Sequence, residues 1–331
     1  MKPMLVSCPR YWALQGHRLH ERYISYLSLN QNSVCDVDCQ GCFRYPSRKR
    51  GLPKESLLTM EDYERLITEF GAAGGLALEI SGEGEPLMSH NTLPIIRLAS
   101  QLGLWTTLIT NGHLLTDDML RELVELQVAL VLSLHSLVEA VYERDSGSRG
   151  SFGRKMKNID RAAEVFRGTG WLERGRDIRR AAIHWTLQSD NVGEVADARA
   201  FCDERGLLFS IAPLAKTGHA AARPDLWLPD EQRLKTVNAL GDESIIFYDE
   251  PGGRVVCGTC KYGLNVGADG NLLLDAHGGY QVDISNIRTT SFAEAVRLQH
   301  AYSARMFAQL DGFCPVRDPG WLEFLAEQRY R

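Results

Sequence analysis

From Tyr26 onward, short apolar runs alternate with longer stretches in which apolar residues return every three or four positions. The short runs are 26–29 (YLSL), 76–81 (LALEIS), 104–109 (LWTTLI), 128–134 (VALVLSL), 181–187 (AAIHWTL) and 207–212 (LLFSIA), and they read as strands. Between them, 60–73, 91–102, 116–126, 152–168 and 191–205 read as amphipathic helices. Thr59 and Thr116 stand where a hydroxyl caps the first helical amides, and Gly103 and Gly206 stand where a helix ends in a left-handed residue. Six strands alternating with helices predict an α/β protein whose parallel sheet closes wholly or partly into a barrel over 25–215. Residues 1–24 have no clear period and form a lead-in, and 216–250, with Pro224 and Pro229, reads as a connector with one short helix. In 251–331 the turn pair Asp269-Gly270 between two apolar runs predicts a hairpin, with a helix over 289–310 after it.

Composition narrows the classes. The 331 residues are 44% apolar and 24% charged, ordinary globular values that argue against disorder and fibrous repeats. A net charge of −5 gives no reason to expect nucleic acid as a partner. No apolar run approaches the roughly 18 residues that span a bilayer. The N-terminus lacks an apolar segment with a small-residue cleavage site, so no membrane association is expected and the cytoplasm is the expected compartment. In that reducing setting, thiols more often bind metals or do chemistry than pair as disulfides. Cys35, Cys39 and Cys42 follow directly after the first strand, and Cys257 and Cys260 form a second group. Three thiolates on one loop can hold three irons of a [4Fe–4S] cube and leave the fourth open. Zinc accepts three thiolates plus one more ligand. The loop lies at the C-terminal end of a barrel strand, where barrel enzymes place their chemistry. Cys8 in the lead-in and Cys202 on a helix read as inert thiols.

Cys35-x3-Cys39-x2-Cys42 followed by Phe43 resembles the signature of the radical S-adenosylmethionine (SAM) enzymes. Three further segments match that family at successive strand ends: Ser81-Gly82-Glu83-Gly84-Glu85-Pro86-Leu87, Thr110-Asn111-Gly112, and Ser133 with Arg144 in the YERDSG stretch. Glu83 stands where the family's Gly-Gly-Glu-Pro segment has its first glycine. The resemblance runs from about residue 25 to 215 and implies a partial (β/α)6 TIM-like barrel. It implies that Cys35, Cys39 and Cys42 ligate a [4Fe–4S] cluster whose open iron chelates the methionine end of SAM. Gly84 and Glu85 would meet the SAM ammonium, Arg144 its carboxylate, and Ser133 and Asn111 its ribose. The backbone near Phe43 and the strand of Ile183 would cradle the adenine. An electron from an external donor such as flavodoxin or ferredoxin would cleave SAM to a 5′-deoxyadenosyl radical, which takes hydrogen from a substrate.

Cys257-Gly-Thr-Cys260, the Asp269-Gly270 hairpin and Ser285-Asn286-Ile287-Arg288 resemble the C-terminal extension called SPASM, or twitch in its shorter form. The chain departs from that pattern: Asp275 replaces an expected cysteine, Ser285 an expected glycine, and only Cys314 remains downstream. Cys257, Cys260 and Cys314, completed by Asp275 or His277, are candidate ligands of a second, auxiliary [4Fe–4S] cluster. The same donors suit zinc, and one of the three thiols is a candidate hydrogen-atom donor instead.

Alternation along the strands places Glu79, Ser81 and Glu83 on one face, Ser133 with His135 on another, and His184 with Thr186 opposite Ile183 and Trp185. If these faces turn inward, Glu79, His135 and His184 line a cavity suited to a substrate bearing hydroxyls or amines. The expected activity is therefore dehydrogenation or epimerisation of a small polar molecule such as a sugar, an aminocyclitol or an aminoglycoside-like metabolite. One alternative is a peptide-modifying enzyme, although the 34 residues before Cys35 are too few for a peptide-recognition domain. A third reading, a non-catalytic zinc protein, keeps the barrel as scaffold only. The basic stretch Arg44, Arg48, Lys49, Arg50 and Lys54 reads as a solvated loop.

Overall fold

Every second residue of the long strands falls in one continuous apolar cluster: Leu27 and Leu29, Leu78 and Ile80, Leu130 and Leu132, then Ile183, Trp185 and Leu187, and finally Phe209 and Ile211. The computed structural model describes residues 26–43, 51–82, 84–173, 176–216, 218–240, 248–249, 255–256, 263–273 and 285–309. The strands are β1 (Tyr26–Asn30), β2 (Ala77–Ser81), β3 (Trp105–Thr110) and β4 (Ala129–Ser133), the short antiparallel pair β5 (Trp171–Glu173) and β6 (Arg176–Ile178), then β7 (Ala181–Leu187) and β8 (Leu208–Pro213). A second short antiparallel pair, β9 (Tyr248–Asp249) and β10 (Val255–Val256), precedes the hairpin β11 (Gly263–Val266) and β12 (Leu272–Leu273).

The main sheet has eight strands in the order β12-β11-β1-β2-β3-β4-β7-β8. All neighbours are parallel except the β11–β12 hairpin, and the end strands do not pair, so the barrel stays open. The register aligns Asn265, Ser28, Glu79 and Thr107 in one row, and Ser133, His184 and Ser210 in another. These are the residues that alternate away from the apolar cluster.

Helices cover the apolar face: α1 (Met60–Ala72), α2 (Thr92–Gln101), α3 (Asp117–Glu125), α4 (Glu139–Ser146), α5 (Phe152–Phe166), α6 (Val195–Arg205), α7 (Asp230–Leu240) and α8 (Phe292–Gln309). Thr59 caps α1 reciprocally with Asp62, and the Thr116 hydroxyl accepts from the Met119 amide, as the sequence predicts. Two features differ from the sequence reading. The YERDSG stretch is helical, as α4, and β5–β6 intervenes before β7.

The predicted Asp269-Gly270 hairpin forms, and its first strand lies parallel to β1, covering an edge that would otherwise expose unpaired amides and carbonyls. The segment after it fastens the extension to the barrel. Asn286 donates to Asp269 O, and Arg288 reaches Asp62 and the carbonyl of Ser56 at the start of α1. Among the described residues, no helix is long and apolar enough to cross a membrane.

Trp185 is the largest wholly buried side chain and meets Phe209 edge-on, with ring centroids 6.2 Å apart. Replacing it with alanine is expected to cost about 3–5 kcal/mol, mostly from the cavity left between sheet and helices, as a lower urea midpoint with an unchanged slope will show.

Candidate active site

A parallel sheet brings every strand's C-terminal end to one side, and there the loops of β1, β2, β3 and β4 meet. The cysteine loop leaves β1 and is held from two directions. The amides of Asp38 and Gln40 donate to the carbonyls of Ser146 and Asp145 at the end of α4, each at 2.8 Å. Beyond β8, the amides of His219 and Ala220 both donate to the carbonyl of Cys42, at 3.0 and 3.2 Å. Cys35, Cys39 and Cys42 are half-buried. Burial, reinforced by nearby acidic groups, pushes the Cys35 thiol up to about 11 and Cys39 well above its ordinary value. A metal binding through Cys35 and Cys39 would have to displace their protons. Three soft donors on one pinned loop fit an iron–sulfur cluster.

The second loop is fastened to the first at Glu85. Its buried carboxylate accepts from the Thr110 hydroxyl, the Asn111 amide at 2.8 Å and the Leu87 amide at 3.0 Å. Burial nonetheless outweighs these bonds and raises its pKa. Its own amide donates to Val34 O at 2.8 Å, and its carbonyl accepts from the Asn32 side chain at 2.6 Å. Gly84 passes so close that an added Cβ would lie 2.0 Å from Asn32 Oδ1 and 2.1 Å from Val34 O. Only glycine fits there.

Asn111 ties these loops together. Its side-chain nitrogen donates to Asp36 at 2.6 Å and lies 3.9 Å from the sulfur of Cys35. Asp36 continues to His113 at 3.4 Å, and the other ring nitrogen of His113 lies 2.7 Å from the Tyr142 hydroxyl. Burial works against the Asp36 carboxylate, but the hydrogen bonds from His113 and Asn111 prevail and lower its pKa. Asp36, His113 and Tyr142 escaped the sequence reading because nothing in their spacing announces a network that tertiary folding alone assembles. Lys155 on α5 is wholly buried and donates to the carbonyl of Asn111. Burial lowers its pKa to about 8, although Glu85, Cys39 and Asp36 act in the opposite sense.

The residues singled out from sequence are placed as follows. Glu79 is buried on the inward face and accepts from the Ser81 hydroxyl at 3.3 Å. Ser133 and His184 are inward neighbours in register, and His184 lies 3.3 Å from Ser210. The Ile183 side chain sits among Trp185 and Leu187 on the helix side, since adjacent strand residues point opposite ways and His184 turns inward, which leaves only the backbone of this strand to meet an adenine. Arg144 directs its guanidinium to Asp190 at 2.8 Å, while its carbonyl accepts from Gln40 on the cysteine loop. His135 lies past the end of β4. One of its ring nitrogens lies within 4.8 Å of both the Cys39 sulfur and an Asp145 oxygen, so it sits beside the cysteine loop. Burial, then His184 and Lys155, lowers its pKa to about 3. Phe43 ends the described part of the loop. Cys257, Cys260, Asp275, His277, Cys314, Cys8 and Glu83 lie outside the described residues.

Two inward groups on β1 were not anticipated. The Ser28 hydroxyl and both amide atoms of Asn30 are buried without a hydrogen-bond partner. By alternation, the inward faces of the main-sheet strands carry Glu79, His184 and several hydroxyls and amides but no lysine or arginine among the described residues.

Residues 30–172 match the radical SAM superfamily, whose members carry a [4Fe–4S] cluster and use SAM. The chain is 35% identical over 217 residues to a GTP 3′,8-cyclase of Nitrobacter hamburgensis, covering 63% of this chain and 58% of that protein. It is 29% identical over 214 residues to a GTP 3′,8-cyclase of Rhizobium etli, covering 63% and 57%. It thus spans less than two thirds of either relative's length. Among solved structures, Streptococcus suis SuiB bound to precursor peptide SuiA superposes with a TM-score of 0.63 at 16% identity, covering 86% of this chain and 67% of that one. At that identity the likeness is one of fold.

Two outcomes test this geometry. Gly84→Ala is expected to cost about 1–3 kcal/mol through overpacking and to lower iron uptake on anaerobic reconstitution; unchanged melting and iron content would refute the close approach. His135 is neutral in the fold but protonates in the unfolded chain below its ordinary pKa of about 6.5. The unfolded chain then binds more protons, so this group's contribution to stability falls as pH drops from about 6.5 towards 3. In metal-free protein, His135→Phe should therefore gain on the wild type between pH 7.5 and 4.5 in urea unfolding, where Asp145, raised by burial to about 6, acts with the opposite sign in both proteins.

Proposed function

The chain carries a radical SAM domain, and on that premise we propose that it cleaves SAM reductively and takes hydrogen from a small polar molecule held inside the open barrel. A [4Fe–4S] cluster on Cys35, Cys39 and Cys42, when bound, supplies the electron that opens the sulfonium, drawn from an external donor of flavodoxin or ferredoxin type. The Gly84–Glu85 loop, Asn111 and Ser133 surround the place where SAM is held. Glu85 acts there chiefly as a pin, since its carboxylate already accepts three internal donors. With the Glu85 backbone also engaged by Val34 and Asn32, the carbonyl of Gly84 is the better candidate to meet the ammonium. Cys257, Cys260, Cys314 and Asp275 would hold a second cluster, which would supply an electron acceptor for a dehydrogenation; for an epimerisation one of these thiols would instead supply the hydrogen atom.

One observation carries the substrate class: Ser28 and Asn30 bury polar atoms without partners on the inward face, beside Glu79 and Thr107. Buried polar groups almost always find partners, and a ligand rich in hydroxyls or amines supplies them. Glu79, and the lack of an inward lysine or arginine on the main-sheet strands among the described residues, favour a neutral or cationic substrate over a nucleoside triphosphate, which would place several negative charges beside a carboxylate. This separates the chain's own substrate from the GTP named for its relatives. A peptide is the second reading, supported by the fold shared with SuiB.

Anaerobically reconstituted protein with dithionite and SAM is expected to release 5′-deoxyadenosine, and Cys35→Ala, Cys39→Ala or Cys42→Ala should abolish release. Failure of the wild type after full reconstitution would overturn the reading. Iron near eight per chain supports two clusters, and iron near four supports one. GTP, an aminocyclitol and a short peptide added separately test the substrate class, with GTP expected not to stimulate release; stimulation by GTP alone would refute it.

A further inference from the structure

Lys155 is a lysine with no exposed surface, and lysine is almost never fully buried unless something pairs with it. It lies on the face of α5 that grips the turn after β3. One turn further along, Asn158 donates from its side chain to the carbonyls of Gly112, at 2.8 Å, and His113, at 3.3 Å. Lys155 does the same for the carbonyl of Asn111. A neutral amide thus suffices for the next two carbonyls of the same turn, so holding the turn does not in itself require a buried charge.

The surroundings supply a reason for the charge. Asn111 is bonded through its amide to the Glu85 carboxylate and through its side chain to Asp36, and it lies beside Cys35. Glu85, Asp36 and Cys39 all act electrostatically on Lys155. Arg180, another buried cation, is spent elsewhere, on the carbonyls of Leu123, Val124 and Val128 at the N-terminal end of β4. Once thiolates form on the cysteine loop, they add negative charge to a place that already holds two carboxylates, and each electron entering a cluster there adds one more.

We propose that Lys155 is a positioning residue for electron entry: from beneath Asn111 its ammonium fixes the turn that touches Cys35 and offsets the negative charge gathered at the cysteine loop. The inference rests on the assignment of Cys35, Cys39 and Cys42 to the cluster. In a poorly solvated site an uncompensated charge is costly, so a fixed cation favours the reduced cluster.

The test is an EPR-monitored redox titration of reconstituted wild type, Lys155→Met and Lys155→Gln, with iron content and circular dichroism measured on each. Methionine keeps the length and loses both charge and donor; glutamine keeps a donor and loses the charge. Both are expected to retain iron and to lower the reduced-to-oxidised ratio at a fixed potential about tenfold, equivalent to 59 mV for one electron. An unmoved potential in either iron-loaded variant would overturn the proposal, leaving Lys155 a structural donor. Loss of iron from both variants with a native dichroism spectrum would overturn it too, by assigning Lys155 to loop assembly. A wild type that takes up no iron would instead sink the cluster assignment, independently of Lys155.

Discussion

Sulfur is a poor hydrogen-bonding atom, so three thiols on an eight-residue stretch cannot set their own spacing. Their arrangement has to be imposed through the backbone that carries them. Here the imposing groups come from everywhere except the loop: carbonyls at the end of α4, amides beyond β8, and the Glu85 segment beyond β2. All of them reach the loop because parallel strands end on the same side. The site is therefore a property of the whole open sheet, since elements far apart in the chain hold the cysteine loop. Asn111 concentrates this dependence, since its amide, carbonyl and side chain each bind a different element.

The two sides of the strands differ in character. Outward, Leu, Ile, Val and Trp pack against helices. Inward, Ser28, Asn30, Glu79, Thr107, Asn265, His184 and Ser210 replace the branched apolar residues that fill a purely structural barrel. Such a face costs stability where it buries polar atoms without partners, as at Ser28 and Asn30, because these forfeit their bonds to water. The apolar outer face, continuous from β1 to β8, bears that cost. Binding and stability are thus divided between the two sides of the same strands, and a single step of register would exchange them.

The outer face is also why so much of the fold was legible. Strand runs and helix caps are local patterns, and all six predicted barrel strands and the Asp269-Gly270 hairpin appear within a residue or two of their expected ends. The cysteine spacing is local as well. What sequence could not supply was the partner across space. Arg144 is present as expected, yet Asp190, 46 residues away, takes its guanidinium. Ile183 and His184 could not both serve the lumen, since adjacent strand residues point opposite ways; only the register decided between them. His135 lies past its strand, where alternation no longer governs direction. α4 has too few periodic apolar positions to declare itself. Lys155 resembles any surface lysine on an amphipathic helix, and only its depth in the fold marks it out.

The family match ends at residue 172, before β7, β8 and β11. The matched part contains the cysteine loop, the Glu85 pin and the Asn111 turn. The unmatched strands contribute His184, Thr186, Ser210 and Asn265 to the inward face. The family model thus covers the loops gathered around the cysteines, while the inward side chains of β7, β8 and β11 lie beyond it.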